Sequence, residues 1–351
     1  MLTGVAASKT HSMENDETSS RYVSVIICSH NRSEHLEKTL GALRDVRVPD
    51  DLSAELILVD NASTDNTPDL MQRYVHPDMP VRVVRENKKG LSHARNRAVQ
   101  EARGQVLLFT DDDVRFPEQW VERMSRPILQ DEADAVAGGV ELAPSLKAAW
   151  MTPHHRGMLA STEQIDPEEP SRFVGANMAI GRHAFQIIPA FDPELGAGQL
   201  GMGEETLFAW QMRAVGLRIA SAFDVAVEHY PDPSRLRRDA WKAAADKAGR
   251  SEAYRSYHWE HRTYSLPALW GGWGLCVLQL WWGRVRGGAG GDANFGMPAW
   301  EFQLRRRIAR IRQHLRERGT PKKYDERGMV KKDLHARFGE VSASSRSGTL
   351  R

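Results

Sequence analysis

The sequence predicts an α/β fold with a parallel sheet and crossover helices, and two observations carry that prediction. Short apolar, β-branched runs alternate with segments whose apolar residues recur at helical spacing, the pattern of strands joined through helices. One of these runs, Val106 to Thr110, leads straight into three carboxylates, Asp111, Asp112 and Asp113. A strand buried on both faces that ends in acid puts charge at the C-terminal edge of a sheet, where open α/β sheets bind ligands. Alternation along an extended chain would point Asp111 and Asp113 one way and Asp112 the other. Two oxygen donors on one side suit a hard divalent cation; a solvated acidic turn is the plainer alternative.

Val23 to Ser29 reads as the first strand. His30-Asn31-Arg32 follows, then a helix with Ser33 as N-cap and Leu36, Leu40 and Leu43 on one face. Glu55 to Asp60 is a second buried strand ending in acid, and the polar turn from Asn61 leads to a helix with Thr67 as N-cap and Pro68 at its first position. Val81 to Val84 is a short third strand, and Gly90 opens a helix through Val99. Asp60 and Asp111 then belong on one sheet edge, although a single Asp after a strand is more often a turn former or cap. Phe173 to Ile180 reads as a strand, with Gly175 where backbone and ligand could approach closely. A glycine-rich run ends at Gly203, and Glu204 and Glu205 open a helix carrying Leu207, Phe208 and Met212. Two acids there also suit the positive end of the helix dipole. Val225 to Val227 is a further strand, followed by Glu228-His229-Tyr230.

The 351 residues allow one large domain with an appendage. The two cysteines, Cys28 and Cys276, lie far apart in apolar runs, so neither a disulfide nor a metal framework is expected. Residues 1–20 are polar, lack the apolar core of a secretory signal, and read as a disordered leader. From Arg284 to Arg351 there are 17 Lys/Arg against 7 Asp/Glu, which leaves an acidic body beneath a whole-chain charge of +2. Such a tail suits phosphates, in lipid headgroups or nucleic acid.

Four segments together carry a family resemblance. Val23 to Arg32 resembles the opening strand and turn of family 2 glycosyltransferases, with Cys28-Ser29-His30 where Pro-Thr-Tyr is usual. Val59-Asp-Asn-Ala-Ser-Thr-Asp65 is similar to their second turn, Asn87 to Asn96 to their N-x-G-x-x-x-ARN segment, and Asp111 to Asp113 to their DxD element. The order and spacing match over about residues 22–230, and the resemblance implies the Rossmann-like GT-A fold of nucleotide-diphospho-sugar transferases. It places the nucleotide-sugar donor on Ser29, Asn31, Arg32, Asp60, Asn87, Arg95, Asp111 and Asp112. It assigns a divalent cation, Mn2+ or Mg2+, to Asp113, Asp111 and His229. Acceptor and sugar contacts fall on Gly175, Asn177 and Gly203. Gly203-Glu204-Glu205 stands where the family carries G-E-D, which makes Glu205 the catalytic base of an inverting enzyme and Glu204 its neighbour or substitute. Gln211-Met-Arg213 does not reproduce the motif of processive members, so transfer of a single sugar is implied.

Thr263 to Gly283 holds no charged residue, and Trp270, Trp273, Trp281 and Trp282 lie within it. Its length would permit a membrane crossing, but Pro267 and three glycines interrupt it and Trp prefers the interface. Trp300 to Arg318 interleaves Phe302, Leu304, Ile308, Ile311 and Leu315 with seven arginines, a basic amphipathic helix suited to an anionic surface. The expected organisation is a leader at 1–20, a catalytic domain at 21–235 divided near 115, and a helical, basic, membrane-associating appendage at 236–351. The reading is an inverting, metal-dependent transferase that moves one sugar from a nucleoside-diphosphate sugar to a glycan, lipid-linked or small-molecule acceptor. Its expected place is the cytoplasm, peripheral on the inner face of the membrane, with no nucleic-acid partner. A sugar nucleotidyltransferase of related fold is the alternative, but Ser29 to Arg32 is not its Gly-rich loop. A catalytically inactive membrane scaffold is another.

Overall fold

The computed structural model describes residues 21–168, 170, 172–286 and 295–333. The leader expected at 1–20 and the tail beyond 333 lie outside the described residues. One eight-stranded sheet runs through the molecule; numbered along the chain, its strands lie in the order three, two, one, four, seven, six, eight, five. Its first half is parallel, as the alternation predicts: β1 (Tyr22–Ser29), β2 (Ser53–Asp60), β3 (Val81–Arg85) and β4 (Val106–Thr110) are joined by helices α1 (Ser33–Leu43), α2 (Thr67–Arg73) and α3 (Leu91–Glu101). The second half is mixed. After β5 (Val114–Arg115), α4 (Trp120–Leu129), β6 (Ala135–Leu142) and the short α5 (Pro153–Met158), strand β7 (Asn177–Gly181) enters antiparallel between β4 and β6. Helices α6 (Ala184–Ile187) and α7 (Glu204–Ala214) precede β8 (Ile219–His229), which runs parallel to β6 and antiparallel to β5.

The strands are continuously apolar because both faces of the sheet are covered. Val25, Ile27, Leu56, Leu58 and Leu108 pack with Leu36, Leu40 and Leu43 of α1. Their neighbours Ile26, Ile57, Leu107 and Phe109 pack on the other face with Ala94 and Ala98 of α3 and with Phe191 and Phe208. Two expected caps shift by one residue. Ser33 and Thr67 are the first helical residues, and both helix starts are capped by Asp65, which accepts from Thr67 N at 3.0 Å and Ser33 N at 3.2 Å. Burial would raise the Asp65 carboxyl, but these hydrogen bonds outweigh it and hold its pKa below the usual carboxylate value. The strand expected from Phe173 begins only at Asn177, whose N–H closes a turn onto Val174 O at 2.9 Å.

All described strands lie before residue 230, and three long helices follow: α8 (Arg238–His258), α9 (Leu266–Arg286) and α10 (Ala299–Glu317). α8 and α10 cross closely at Gly249, where an added Cβ would sit 2.1 Å from Arg306 O, and Glu252 pairs with Arg306 and Arg310 at 2.9 and 2.6 Å. The chain then returns to the sheet domain. Buried Asp192 accepts from Tyr254 of α8 (2.8 Å) and Tyr324 (2.7 Å) and pairs with buried Lys331 (3.1 Å). Among the described residues, no helix is long and apolar enough to cross a membrane.

Candidate active site

The C-terminal ends of β1, β2 and β4 converge, with Ser29 beside Asp60 and Ile27 beside Thr110. The acidic triplet does not alternate, because the chain turns at Asp112 and Asp113 instead of staying extended. Asp112 and Asp113 both meet the Arg32 guanidinium, at 2.9 and 2.5 Å, while Asp111 leans toward Arg95 at 3.4 Å. Thr39 of α1 fixes the turn: its hydroxyl donates to Asp112 O (2.8 Å) and accepts from Val114 N (3.2 Å). Ser29 Oγ donates to Asp112 Oδ2 at 2.5 Å.

A cavity of about 410 Å³ opens on this edge. Of the residues singled out in the sequence, Ser29, Arg32, Asp111, Asp112, Asp113 and His229 line it. Three further lining residues, Asn61, Lys89 and Arg235, were not assigned from sequence. Asn61 stands beside Asp60 in the second motif, which was the available signal. Its amide clasps the loop before α3, accepting from Gly90 N (2.8 Å) and donating to Lys88 O (2.7 Å). Asp60 is behind the rim: its carboxylate pairs with Arg85 at 2.6 Å and accepts from Ser63 N at 2.9 Å. Asn31 accepts from Thr64 N at 2.7 Å, and exposed Asn87 accepts from Arg85.

Burial is the first electrostatic fact of the site. It pushes Asp112 up to about 7 despite Arg32, with Asp113 adding to the rise. Asp111 is raised by burial against the pull of Arg95. Asp113 goes the other way, down to about 2, because His229 and Arg32 outweigh its burial. His229 Nδ1 lies 2.8 Å from Leu159 O, an acceptor only, so Nδ1 carries the hydrogen and Nε2 faces Asp113 Oδ1 at 3.3 Å. A metal-binding histidine is held in this manner, with its other nitrogen donating to a carbonyl. Asp111, Asp113 and Nε2 are oxygen and nitrogen donors of the kind a divalent cation takes, but the turn sends the two carboxylates to different arginines. Among the described residues no three acidic, His or Cys side chains form a full ligand set.

Arg95 joins this cavity to the second half of the site. Its guanidinium is buried, reaches Asp111 and bonds Glu204 Oε1 at 2.8 Å. Gly175 lies in a turn and makes room for it: a Cβ there would sit 2.2 Å from Arg95 Nη2. Glu204 is buried with Oε2 unpartnered, and burial followed by the Glu205 charge pushes it up to about 8. Three acids around one guanidinium cannot all be neutralised by it, so the raised direction is the physical one. Glu205, beside it in the first turn of α7, is half-buried. Gly203 caps that helix with φ +93°, and a Cβ there would sit 2.1 Å from Nη1 of Arg255 on α8, a neighbour that local sequence patterning did not reveal. Asn177 stands apart from the acceptor role expected of it. It is fully buried, donating to Gly139 O and Val225 O and accepting from Trp120 Nε1, so its polar atoms hold β6, β7, β8 and α4 together.

Residues 24–187 match the model of glycosyl transferase family 2. Glycosyltransferase AglE of Haloferax volcanii is 30% identical over 122 residues, 34% of this chain and 40% of that protein. Glycosyltransferase GlyG of Streptococcus pneumoniae is 28% identical over 120 residues, 34% of this chain and 39% of that protein. The chain thus spans less than half the length of these curated relatives. The mannosyltransferase PcManGT from Pyrobaculum calidifontis, solved with GDP-Man and Mn2+, aligns over 84% of this chain and 87% of its own at 20% identity, with a TM-score of 0.56. That likeness is one of fold, the GT-A arrangement of a mixed sheet with flanking helices.

Proposed function

We propose that this chain, which carries a family 2 glycosyltransferase domain over residues 24–187, moves a single sugar from a nucleoside-diphosphate sugar to an acceptor hydroxyl with inversion, in surface glycan or glycolipid assembly. The observation that carries the reading is the Arg95 bridge, which sets the acid-lined cavity and the Glu204–Glu205 pair on either side of one guanidinium. The nucleotide occupies the cavity beside Ser29 and Asn61, with Asp60 behind them, and Arg32, Lys89 and Arg235 offer charge to its phosphates. Asp111, Asp113 and His229 would hold a divalent cation, which would neutralise the charge on the departing diphosphate. Glu205 accepts the acceptor's hydroxyl proton as that oxygen attacks the anomeric carbon from the face opposite the diphosphate. Glu204 is fixed to Arg95 and holds that side chain against Asp111. General-base help of this kind is worth about 10²–10⁴-fold. The catalytic unit is residues 21–235, and the helices after it rest on the cytoplasmic face of an anionic membrane.

The test is a thermal-shift screen of UDP, GDP, dTDP and CMP with Mn2+, Mg2+ or EDTA, on wild type and Asp113→Ala. A ligand of the native state raises its apparent stability. One nucleotide should stabilise the wild type with metal and lose that effect in Asp113→Ala. If no nucleotide does so under any condition, the transferase reading gives way to that of an inactive scaffold.

A further inference from the structure

α9 carries much of the exposed apolar surface. Of fourteen large apolar side chains exposed among the described residues, eleven lie between Tyr264 and Trp300. Leu266, Trp270, Val277, Trp281 and Val285 form one outward stripe. The opposite stripe is used within the chain. Leu269 and Cys276 are buried, Ile311 of α10 lies 3.5 Å from the Cβ position of Gly272, and the Trp300 ring fills that of Gly283. The outward stripe has no such cover among the described residues.

At the foot of α9 a second cavity opens, about 360 Å³ in volume. Thr263, Tyr264 and Ser265 bring hydroxyls to it, Tyr257 closes it from α8, and His314 and Arg318 line it from the end of α10. His314 is only 4% exposed, and its Nε2 is buried without a hydrogen-bond partner. A buried imidazole nitrogen left unpaired is an unfilled demand for a polar partner. Burial and then Arg310 push His314 down to about 4, so the ring is neutral near pH 7 and its Nε2 can donate a hydrogen. Arg318 is exposed and has no carboxylate within ion-pair distance among the described residues. The N-terminus of the 21-residue α9 opens at the same place, with Ser265 Oγ accepting from Ala268 N at 3.4 Å.

We propose that this cavity is a headgroup site: it receives the phosphate of an anionic membrane phospholipid while the outward stripe of α9 lies among the acyl chains of the same leaflet. The inference rests on the membrane reading given above and adds a defined binding site to it. Arg318 supplies the charge, His314 and the three hydroxyls supply donors, and α9 lies in the interface without crossing. The cavity lies within the size range of small-ligand sites.

Two measurements separate the site from the surface. The first is sedimentation of the full chain with vesicles of phosphatidylcholine alone or mixed with phosphatidic acid. The second is calorimetric titration with soluble dihexanoyl phosphatidic acid and with inorganic phosphate. Wild type should sediment only with the acidic vesicles and bind the short-chain lipid more tightly than free phosphate. Arg318→Gln and His314→Gln, checked for unchanged folding by circular dichroism, should each weaken short-chain binding about tenfold, the worth of a hydrogen bond to a charged group. Trp281→Ser/Trp282→Ser should lose vesicle binding and keep the short-chain lipid. If the tryptophan variant loses vesicles while Arg318→Gln and His314→Gln bind the short-chain lipid like wild type, the membrane reading stands and the headgroup site is refuted. Equal affinity for inorganic phosphate refutes it in favour of a free anion. If wild type is a dimer, the tryptophan variant a monomer and neither binds vesicles, the stripe joins two copies and both readings fall.

Discussion

Glu204→Gln should change how stability depends on pH. Burial and the neighbouring Glu205 push the Glu204 carboxyl up to about 8, against an ordinary value of 4.5. Between those values the native state binds a proton that the unfolded chain releases, so stability falls as pH rises through this window and levels off above it. The interval of roughly 3.5 units, at about 1.4 kcal/mol per unit, sets a ceiling near 5 kcal/mol. The Arg95 partner and the coupling to Glu205 reduce it, and a loss of about 2–4 kcal/mol between pH 5 and pH 8.5 is expected. Glutamine has nearly the same shape, can accept from Arg95 through its carbonyl oxygen, and does not titrate. Urea denaturation at pH 5, 6.5 and 8.5 should show the wild type losing this increment and Glu204→Gln keeping it. At pH 8.5 the variant should be at least as stable as the wild type. Parallel profiles for the two proteins, with the variant weaker at every pH, would mean that Glu204 is ionised throughout and that Arg95 alone satisfies it.

Three other outcomes follow from the same geometry. Glu205→Gln should lower kcat by about 10²–10⁴-fold while thermal shift by the donor nucleotide is retained; loss of nucleotide binding instead would remove Glu205 from the role of base. Gly175→Ala places a methyl where Arg95 Nη2 lies 2.2 Å away, so the guanidinium must shift from its place between Asp111 and Glu204. A loss of about 1–3 kcal/mol in urea unfolding is expected, and a neutral result would show that the Arg95 bridge is not rigid. Lys331→Met strands the buried Asp192 carboxylate and should destabilise by about 3–5 kcal/mol, with partial recovery in the Asp192→Asn/Lys331→Met pair; an unchanged midpoint would mean the Lys331–Asp192 contact does not hold the returning chain to the sheet domain.

The parallel half of the fold was legible because its strands are buried on both faces, which leaves continuous apolar runs such as Val106 to Thr110 that end in charge. β6 was not: Ala135 to Leu142 contains Gly138 and Gly139, and those glycines answer to tertiary demands. A Cβ on Gly138 would strike Asn177, and one on Gly139 the Phe223 carbonyl. α8 was expected only as part of a helical appendage and not delimited, since its alanines and charges form no clear apolar stripe and its buried positions, such as Trp241 and Tyr254, serve different neighbours. At the site, the acids at strand ends were readable one by one. Their pairing was not, because Arg32 in the turn before α1 and Arg95 on α3 approach the triplet from separate elements and only the packed chain brings each to its own aspartates. The alternation rule failed at Asp112 for a local reason, the turn that Thr39 holds.

The hydrogen bonds on Asp192 set an order of events during synthesis. Two of its partners, Tyr324 and Lys331, are 132 and 139 residues further along the chain. A ribosome extends the chain from its N-terminus, so the sheet and the first helices can assemble while Asp192 still lacks both. The segment leading into the glycine-rich run and α7 therefore reaches its final state late, and contacts of such long sequence separation are slow to close. A nascent chain halted before Tyr324 would hold the acid-lined cavity nearly complete beside an unfinished α7 side.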